Sequence, residues 1–486
     1  MKMSRVRRRA GGWNISLFEE RGGTDRRPLS PLHLRITFLT GRCENHLMAD
    51  GYTRSGGLSA GTAVAFAVGN MVGAGVFVLS GLMVQTAGPA AVLSYLLCGI
   101  LVAFTGLSYA VLASICPGDG GGYLYAHHML GPYPGFLAGW GMYISVTIAS
   151  AFVLLGLGIY ANRLLGTAFD PRIAALVGLV LLTLLNLRST AEAGRAEVAL
   201  VAAKIVVLLL VAAVGVINLT PADFTPFFPH GTGAMLDGVA MVFFAYLGFQ
   251  VVAMMGGEIK SSARVVPLAT LASIGIVAVI YCGVEVALLA AHLPAYGDSS
   301  LFDAAVVFFG GWGGTIVAIG AIFSTLSAAN ANIIGGSRVI LTMAAEKQIP
   351  GRFAALKGEQ PANAVLLSAG VAAGLILLGN LGVIVDLTNT VALVSMGLVN
   401  ISAVILTLGH RPVPGDRTYF RIPFGPLIPL VGAGSCILML VTLPLPVLAA
   451  GGAALLAGTI FFVVEDTPEG ERATAEIREF IEREER

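Results

Sequence analysis

The stretch Gly69-Asn-Met-Val-Gly-Ala-Gly75 interrupts the first long apolar run of the chain, which extends over residues 59–86. A bilayer-crossing helix needs about 20 mostly apolar residues, so this run is long enough to span a membrane. Gly73 and Gly75 fall near its middle, where each glycine weakens a helix by about 1 kcal/mol relative to alanine. We therefore expect a membrane-spanning helix that is broken at its centre.

A second break is expected in the sixth apolar run, residues 236–256, which contains Phe243-Phe-Ala-Tyr-Leu-Gly-Phe249. Runs one and six are five apart, and five is odd, so a second five-helix repeat would have inverted topology. Broken helices at matching positions of two inverted halves indicate a transporter site at the membrane midplane. Taken alone, the glycines of the first run would favour close helix packing. The matched second break favours the functional interpretation.

Further apolar runs of similar length follow along the chain. The twelve candidate spans are 59–86, 89–114, 134–161, 173–187, 196–218, 236–256, 266–291, 304–330, 363–379, 382–408, 424–443 and 445–464. We therefore predict an all-α membrane protein of about twelve transmembrane helices, with a five-plus-five inverted repeat and discontinuous helices one and six.

Composition supports a membrane protein. Of 486 residues, 56% are hydrophobic and only 12% charged, with a mean hydropathy of +0.83. A soluble domain has about a quarter charged residues, and this chain could not coat a soluble globule of its size. Between residues 58 and 464 the charges balance, at fourteen of each sign (29−11−4 and 28−5−9). This balance argues against a nucleic acid partner, which requires a basic face.

The distribution of Lys and Arg predicts the orientation. With the N-terminus inside, the tails and inside loops hold 26 basic residues (11+11+4), whereas the outside loops hold only Arg163 and Arg172. Cytoplasmic loops of membrane proteins carry the excess of positive charge. We therefore expect a multi-pass cell membrane protein with both termini in the cytoplasm.

The chain divides into four regions. Residues 1–57 form a basic cytoplasmic tail that reads as disordered, with Met48 as an alternative start. Residues 58–410 form the inverted-repeat core and 411–464 two additional transmembrane helices. Residues 465–486 form an acidic cytoplasmic tail, with nine Asp/Glu against four Lys/Arg.

Five motifs in register resemble those of the amino acid–polyamine–organocation (APC) superfamily of permeases. They are Gly73-Ala-Gly-Val-Phe77, Pro117-Gly-Asp-Gly-Gly-Gly-Tyr-Leu-Tyr125, Phe243-Phe-Ala-Tyr-Leu-Gly-Phe249, Glu258-Ile-Lys260 with Arg264 and Pro267, and Gly335-Gly-Ser-Arg338. The resemblance covers about residues 58–410 and is nearest to the cationic amino acid transporter-like and proton-coupled branches. One departure matters for specificity. This chain has Gln250 where the family often has an acidic residue, which argues against a cationic substrate.

The resemblance implies an amino acid site at the two breaks. Backbone N–H groups of Gly73, Ala74 and Gly75 would bind the substrate carboxylate, because a helix N-terminus attracts anions. The ammonium would bind carbonyl groups at the unwound segments. By resemblance these belong to Met71, Phe244, Ala245 and Leu247, and the ring of Phe244 would close over the substrate. The alternative for Phe244 is plain packing against lipid or the core.

Lys204 lies about nine residues inside the fifth run, and an ionisable residue within a membrane is a functional hypothesis by default. Removal from water disfavours the charged form of a lysine, so this group can release its proton. By resemblance its ammonium takes the place of a sodium ion, against span one and the hydroxyls of Ser324, Thr325 and Ser327. The alternative is a lysine whose ammonium reaches the cytoplasmic surface.

Glu285 in the seventh run reads as a partly hydrated carboxylate near the outer interface; the alternatives are a group that lines the outer vestibule or pairs with a substrate cation. His127 and His128 read as surface residues. No nucleophile–base pair, metal cluster or phosphate loop stands out, so we expect no enzyme activity, no catalytic residue, no metal and no cofactor.

These patterns predict a secondary active permease for amino acids, with proton-coupled uptake by alternating access. The alternatives are an amino acid or polyamine exchanger of the same fold, and a membrane receptor or channel. The sequence does not reveal the oligomeric state.

Overall fold

The computed structural model describes residues 58–116, 118–187, 193–356, 360–409, 420 and 422–465. The predicted tails, residues 1–57 and nearly all of 465–486, lie outside the described residues. The described part is all-helical, and its only strand-like pairings are two isolated bridges, Leu58 with Ile259 and Asp119 with Met255.

The helices follow one another with short connections. In chain order they are α1 (Ala60–Met71), a π-helical turn (Gly75–Leu79) that continues as α2 (Ser80–Ala87), α3 (Ala91–Ile115), α4 (Gly122–Leu130), α5 (Pro132–Leu165), α6 (Pro171–Asn186), α7 (Ala193–Asn218), α8 (Gly231–Tyr246), α9 (Gln250–Met254), α10 (Ser262–Ala290), α11 (Ser300–Phe309), α12 (Gly311–Ala345), α13 (Ala362–Leu378), α14 (Leu381–Leu408), α15 (Leu427–Thr442) and α16 (Leu445–Glu465).

Seven helical stretches among the described residues are long and apolar enough to cross a membrane. They are Ala60–Ile115, Pro132–Leu165, Val201–Asn218, Ser262–Ala290, Gly311–Ala345, Leu381–Leu408 and Leu445–Phe462. Five further apolar helices have 10–17 residues: Pro171–Asn186, Gly231–Tyr246, Ser300–Phe309, Ala362–Leu378 and Leu427–Thr442. Large apolar side chains on the periphery remain exposed, Val279 to 71% for example, as expected of surfaces that face lipid chains.

Two segments differ from the sequence expectation. The predicted span 304–330 is divided between α11 and α12 at Gly310, whose φ of 69° ends the first helix. The predicted loop after the second span contains the helix α4, which packs against α5 and buries His128. The prediction of His128 as a surface residue is therefore wrong. The glycine-rich sequence indicated a loop and did not reveal the short helix on which this side chain is buried.

Both expected helix breaks are present. The helix α1 ends at Met71, and helical structure resumes with the π-turn at Gly75. In the sixth run α8 ends at Tyr246 and α9 begins at Gln250, with Leu247 extended and Gly248 at a φ of 134°. Each break leaves backbone groups without partners inside their own helix, which other parts of the protein must bind.

The bundle has two ends, which are named here by the residues that meet there. At the proximal end, Leu58 pairs with Ile259, and Gln348 contacts His127. At the distal end, Arg163 donates to Ser299 at 2.6 Å and pairs with Asp303 at 3.4 Å. The helices α1 and α9 belong to the proximal half of the bundle, and α2 and α8 to its distal half.

Candidate functional site

The two helix breaks lie in direct contact. A Cβ atom added to Gly75 would lie 2.8 Å from Ala245 Cα, and one added to Gly248 would lie 2.7 Å from Met71 N. Glycine permits this approach because it has no side chain, and at Gly248 it also permits the positive φ. The sequence therefore brings the unwound parts of runs one and six together at the centre of the bundle.

A cavity lies beside this contact. Its walls are the two breaks, one face of α5 and part of α12, through Asn70, Met71, Gly73, Ala74, Gly75, Ser145, Val146, Ala149, Val153, Phe244, Ala245, Leu247, Gln250, Ala328 and Asn332. All seven residues expected to bind substrate are among them: Met71, Gly73, Ala74, Gly75, Phe244, Ala245 and Leu247. None of the lining residues is Asp, Glu, Lys, Arg or His. The cavity is therefore polar through backbone, amide and hydroxyl groups alone.

Three side chains from three different helices bind carbonyl groups at the first break. Lys204 Nζ on α7 donates to Gly69 O at 2.7 Å, and the Tyr281 hydroxyl on α10 donates to Met71 O at 2.6 Å. The hydroxyl of Ser324 on α12 donates to Val72 O. The last carbonyls of an α-helix lack intrahelical partners, and these three groups supply them. The break is therefore fixed by the surrounding bundle.

Lys204 is 1% exposed, and Nζ also lies 3.5 Å from Ser327 Oγ. Its ammonium ends inside the bundle at α1, so the alternative of a lysine that reaches the membrane surface is wrong for this structure. A cation is favourable at the C-terminal end of a helix, where the macrodipole is negative. Of the predicted hydroxyl partners, Ser327 is near Lys204, whereas Ser324 binds Val72 O and Thr325 donates to Ile322 O of its own helix.

Tyr281 was missed in the sequence. It is fully buried, and its hydroxyl lies 2.9 Å from Ala245 O as well as 2.6 Å from Met71 O. One hydroxyl thus joins the two breaks. A tyrosine in the middle of an apolar run indicates a buried hydrogen bond, because a buried phenol O–H needs an acceptor. The sequence does not indicate which carbonyls those acceptors are.

The N–H groups at the start of the distal half-helix differ in part from the expectation. The N–H of Gly73 donates to Met71 O at 2.8 Å, so it is already engaged. The N–H groups of Ala74, Gly75 and Val76 open the π-turn, where no preceding turn can accept them. Outside helices, the described backbone hydrogen bonds include none from these three donors. Of the three predicted donors, Gly73 is therefore engaged at Met71 O, whereas Ala74 and Gly75 lie at the start of the distal half-helix.

Other parts of the cavity lining consist of an aromatic ring and of amide groups. The Phe244 ring packs edge-on against Phe152 with centroids 4.5 Å apart, and its carbonyl accepts from Leu247 N at 3.1 Å. Asn70 donates to Asn332 at 3.1 Å, while Asn70 Oδ1 is buried and has no hydrogen-bond partner among the described residues. The Phe244 ring and the amide pair of Asn70 and Asn332 thus both line the cavity.

The site holds no metal-ligand constellation in the part of the chain that the structure describes, where no three His, Cys, Asp or Glu side chains come together. Its geometry is a small polar cavity at two broken helices, with a helix N-terminus on one side and carbonyl groups on the other.

Comparisons with known proteins indicate a transporter. Residues 62–463 match the family model described as amino acid permease. The methylthioribose transporter of Bacillus subtilis is 30% identical, over 80% of this chain and 88% of its own length. The branched-chain amino acid permease BcaP of Bacillus subtilis is 27% identical, over 77% of this chain and 85% of its own. The cationic amino acid transporter 3, mitochondrial, of Arabidopsis thaliana is 27% identical over 73% of this chain and 62% of its own length. The chain therefore belongs to the amino acid permease family within the APC superfamily, and it is a multi-pass membrane transporter, not an enzyme.

Proposed function

We propose that this transporter carries a neutral, zwitterionic amino acid and couples its uptake to protons. The observation that supports this most directly is the cavity at the two breaks. Its lining includes the start of the distal half-helix at Ala74 and Gly75 and the end of α8 at Phe244 and Ala245, with no ionisable side chain among the lining residues.

The substrate carboxylate binds at the start of the π-turn. There the N–H groups of Ala74, Gly75 and Val76 are the first of the distal half-helix, and the macrodipole adds a positive potential. The expected donor at Gly73 contributes through its missing side chain, since a Cβ atom there would lie 2.9 Å from that of Ala328.

The substrate ammonium binds the carbonyl groups of Met71, Phe244, Ala245 and Leu247. Ala245 O lies 2.9 Å from the Tyr281 hydroxyl and, like Phe244 O, has a second lone pair that can accept. Met71 O already accepts from the Tyr281 hydroxyl and from Gly73 N, so it exchanges one of these bonds for the ammonium. The Phe244 ring lies above this position, where an aromatic face favours a cation. Both charged ends of a zwitterion thus bind backbone atoms.

The substrate side chain is neutral. The remaining walls consist of Ser145, Ala149 and Val153 on α5 and the amides of Asn70, Asn332 and Gln250. A lysine, arginine or polyamine cation at this depth would need a carboxylate, because a buried unpaired charge is costly. Gln250, at the position that is often acidic in the family, provides none.

Lys204 couples protons to substrate. Protonated, it donates to Gly69 O and holds the first break in the form that binds substrate. Neutral, it has lost an N–H donor and its charge, so the contact weakens and the proximal half-helix α1 can move. Since Lys204 and Ser327 occupy the position of a cation at the end of α1, sodium is unnecessary.

The proposed topology has twelve spans and a five-plus-five inverted repeat, with α1/α2 and α8/α9 as its discontinuous helices. Both tails lie in the cytoplasm, which makes the proximal end cytoplasmic. The basic side chains of Lys260, Arg264, Lys347 and Arg352 then face inward, and Arg163 and Arg172 face outward.

The absence of ionisable side chains from the cavity lining is also compatible with a second substrate class. The 30% identical relative from Bacillus subtilis is a transporter of methylthioribose, a neutral sugar derivative. Amides such as those of Asn70 and Asn332 bind hydroxyl groups well. A neutral polyol would use the amides of the cavity and would not need the N–H groups at the π-turn.

Uptake into proteoliposomes distinguishes these functions. The panel contains neutral, cationic and acidic L-amino acids, an amino acid amide, putrescine and methylthioribose, each with and without an inward proton gradient and with sodium or potassium. The proposal expects uptake of neutral L-amino acids, driven by the proton gradient and unaffected by sodium. Uptake of methylthioribose alone would select the second candidate, and uptake that requires unlabelled internal substrate would indicate an exchanger.

A further inference from the structure

The distal half of the bundle contains a second buried ionisable group, Glu285 on α10. It is 0% exposed, and neither carboxyl oxygen has a hydrogen-bond partner among the described residues. It forms no ion pair in the described part of the chain. The expectation of a partly hydrated carboxylate near the interface is therefore wrong. Five residues, or about 7.5 Å of helix, separate it from the end of α10 at Ala290.

Among the described residues, the groups that face Glu285 include no cation. The polar groups that interact with it are the hydroxyls of Ser80 on α2 and Tyr95 on α3, which lie 3.3 Å from each other, and the Cys282 thiol on its own helix. The π-turn and the helices α1, α2 and α9 contain no ionisable residue. Lys204 on α7 binds Gly69, and Asp303 on α11 pairs with Arg163.

An ionised carboxylate in this place would be desolvated without a cation or N–H donors, which is among the most costly arrangements in a protein. The protonated acid is neutral, and its hydroxyl can donate to Ser80 or Tyr95 once it rotates. The closed distal half is therefore compatible with the protonated form and strongly disfavours the ionised one.

Glu285 is also placed where the distal half would open. It lies one turn beyond Tyr281, which joins the two breaks, and it faces the half-helix α2 through Ser80. The same half-helix seals the distal end, because Gly81 packs directly against Gly297 and Ser300. Movement of α2 away from α10 would admit water to the carboxyl group and allow it to ionise.

We propose that Glu285 is a proton-binding site, separate from Lys204, whose occupation is required for the distal half to close. A proton from water binds the carboxylate when α2 is displaced, and closure then traps the neutral acid against Ser80 and Tyr95. Loss of that proton to water accompanies opening. Proton binding and closure favour each other by the same free energy, so a higher pH favours the open distal end.

The test uses the full-length transporter with Ser300→Cys, a buried position that becomes reactive only when the distal end opens. Its labelling by an impermeant maleimide is measured from pH 6 to pH 9. It is divided at each pH by the labelling of Ala168→Cys, which is exposed in a distal loop and reports the reagent's own pH dependence. We expect the ratio to rise with pH, by up to about tenfold per unit where Glu285 titrates.

The rise should disappear in Glu285→Gln, which has the shape of the protonated acid and stays neutral, and it should persist in Glu285→Asp. An unchanged rise in Glu285→Gln would overturn the proposal. Loss of the rise in Lys204→Ala alone would assign the response to Lys204 and also overturn it. Uptake that fails to follow the proton gradient in the wild type contradicts the proposed role of Lys204 but leaves this labelling result intact.

Should Glu285→Gln not fold, infrared spectroscopy gives an independent readout. The carbonyl stretching band of a protonated carboxyl group should appear when substrate closes the wild-type protein, and it should shift in frequency in Glu285→Asp. A closed wild-type protein without this band, or a band that Glu285→Asp leaves unmoved, would contradict a protonated Glu285.

Discussion

Lys204 Nζ lies 2.7 Å from Gly69 O, so the only lysine within the described apolar helices binds the last turn before the first break. This contact fixes the end of α1 while the ammonium is protonated. Deprotonation leaves Gly69 O buried with a weaker partner, and an unsatisfied buried acceptor costs about 1–3 kcal/mol. The proximal half of the site is therefore sensitive to a single proton.

Lys204→Ala should weaken the pH response of uptake by the part that Lys204 contributes. In the wild type we expect uptake to rise as external pH falls, by about 5–150-fold for a coupling free energy of 1–3 kcal/mol. The variant should transport slowly and keep only the pH dependence that Glu285 contributes, measured as initial rates in proteoliposomes at fixed internal pH. Lys260→Ala, at an exposed lysine, should keep the wild-type profile. A sodium requirement in the wild type would contradict this mechanism.

Tyr281→Phe should weaken substrate binding while it preserves the packing of the ring. The ring contacts Tyr95 and Tyr246 at 5.5 and 5.3 Å between centroids, and phenylalanine retains these contacts. The lost hydroxyl releases Met71 O and Ala245 O from each other, for a loss of about 0.5–1.5 kcal/mol or about 2- to 13-fold in Kd. Tyr109→Phe is the matched control, because the buried Tyr109 hydroxyl has no hydrogen-bond partner in the part of the chain that the structure describes. Equal affinities in the two variants would contradict a role for the Tyr281 hydroxyl.

Gly75→Ala should remove substrate binding, because the new methyl group would lie 2.8 Å from Ala245 Cα and force the breaks apart. Binding is measured as the substrate-induced rise in Tm, which follows the ratio of ligand concentration to Kd. Gly275→Ala is the control, since its Cβ atom meets open space. A wild-type response in Gly75→Ala would refute the site.

Amidation of the substrate tests the N–H donors directly. An amino acid amide keeps the ammonium and side chain but loses the negative charge that the helix N-terminus attracts. We expect it not to compete with the parent amino acid in uptake. Competition at equal strength would move the carboxylate away from the π-turn.

The orientation of the chain can be checked with introduced cysteines. Ala168→Cys lies at the distal end and Lys347→Cys at the proximal end, and both positions are exposed. In intact cells an impermeant maleimide should label the first above the background of the parent chain, and the second only after the membrane is permeabilised. The reverse pattern would invert the proposed topology.

The helix breaks could be predicted from the sequence because glycine and the length of an apolar run act locally. Gly73, Gly75 and Gly248 mark both breaks, and all seven expected binding residues line one cavity. Hydrogen-bond partners that lie on helices distant in sequence were harder to predict. Lys204 was identified as a charge in lipid, but its acceptor Gly69 O and the bond from Tyr281 to both breaks depend on how three helices pack.

The surroundings of Glu285 likewise depend on helix packing and could not be predicted from the sequence. Position along a helix gives the depth of a side chain but not the direction it faces, and depth alone predicted a hydrated carboxylate. The direction depends on the rotation of α10 against α2 and α3, which only the packed bundle determines. The division of the eighth run at Gly310 was missed for a local reason, since one glycine in a long apolar stretch is compatible with either a continuous or a broken helix.

The contact between the two breaks also limits how this transporter can be re-engineered. Gly75 against Ala245 and Gly248 against Met71 leave no space for a single added carbon, so the part of the cavity built from backbone tolerates no redesign. Ser145, Ala149 and Val153 are different, because they lie on the uninterrupted helix α5, where a side chain can be exchanged without moving the main chain. Selection for a new substrate should therefore accumulate its substitutions on α5 and leave both glycines untouched.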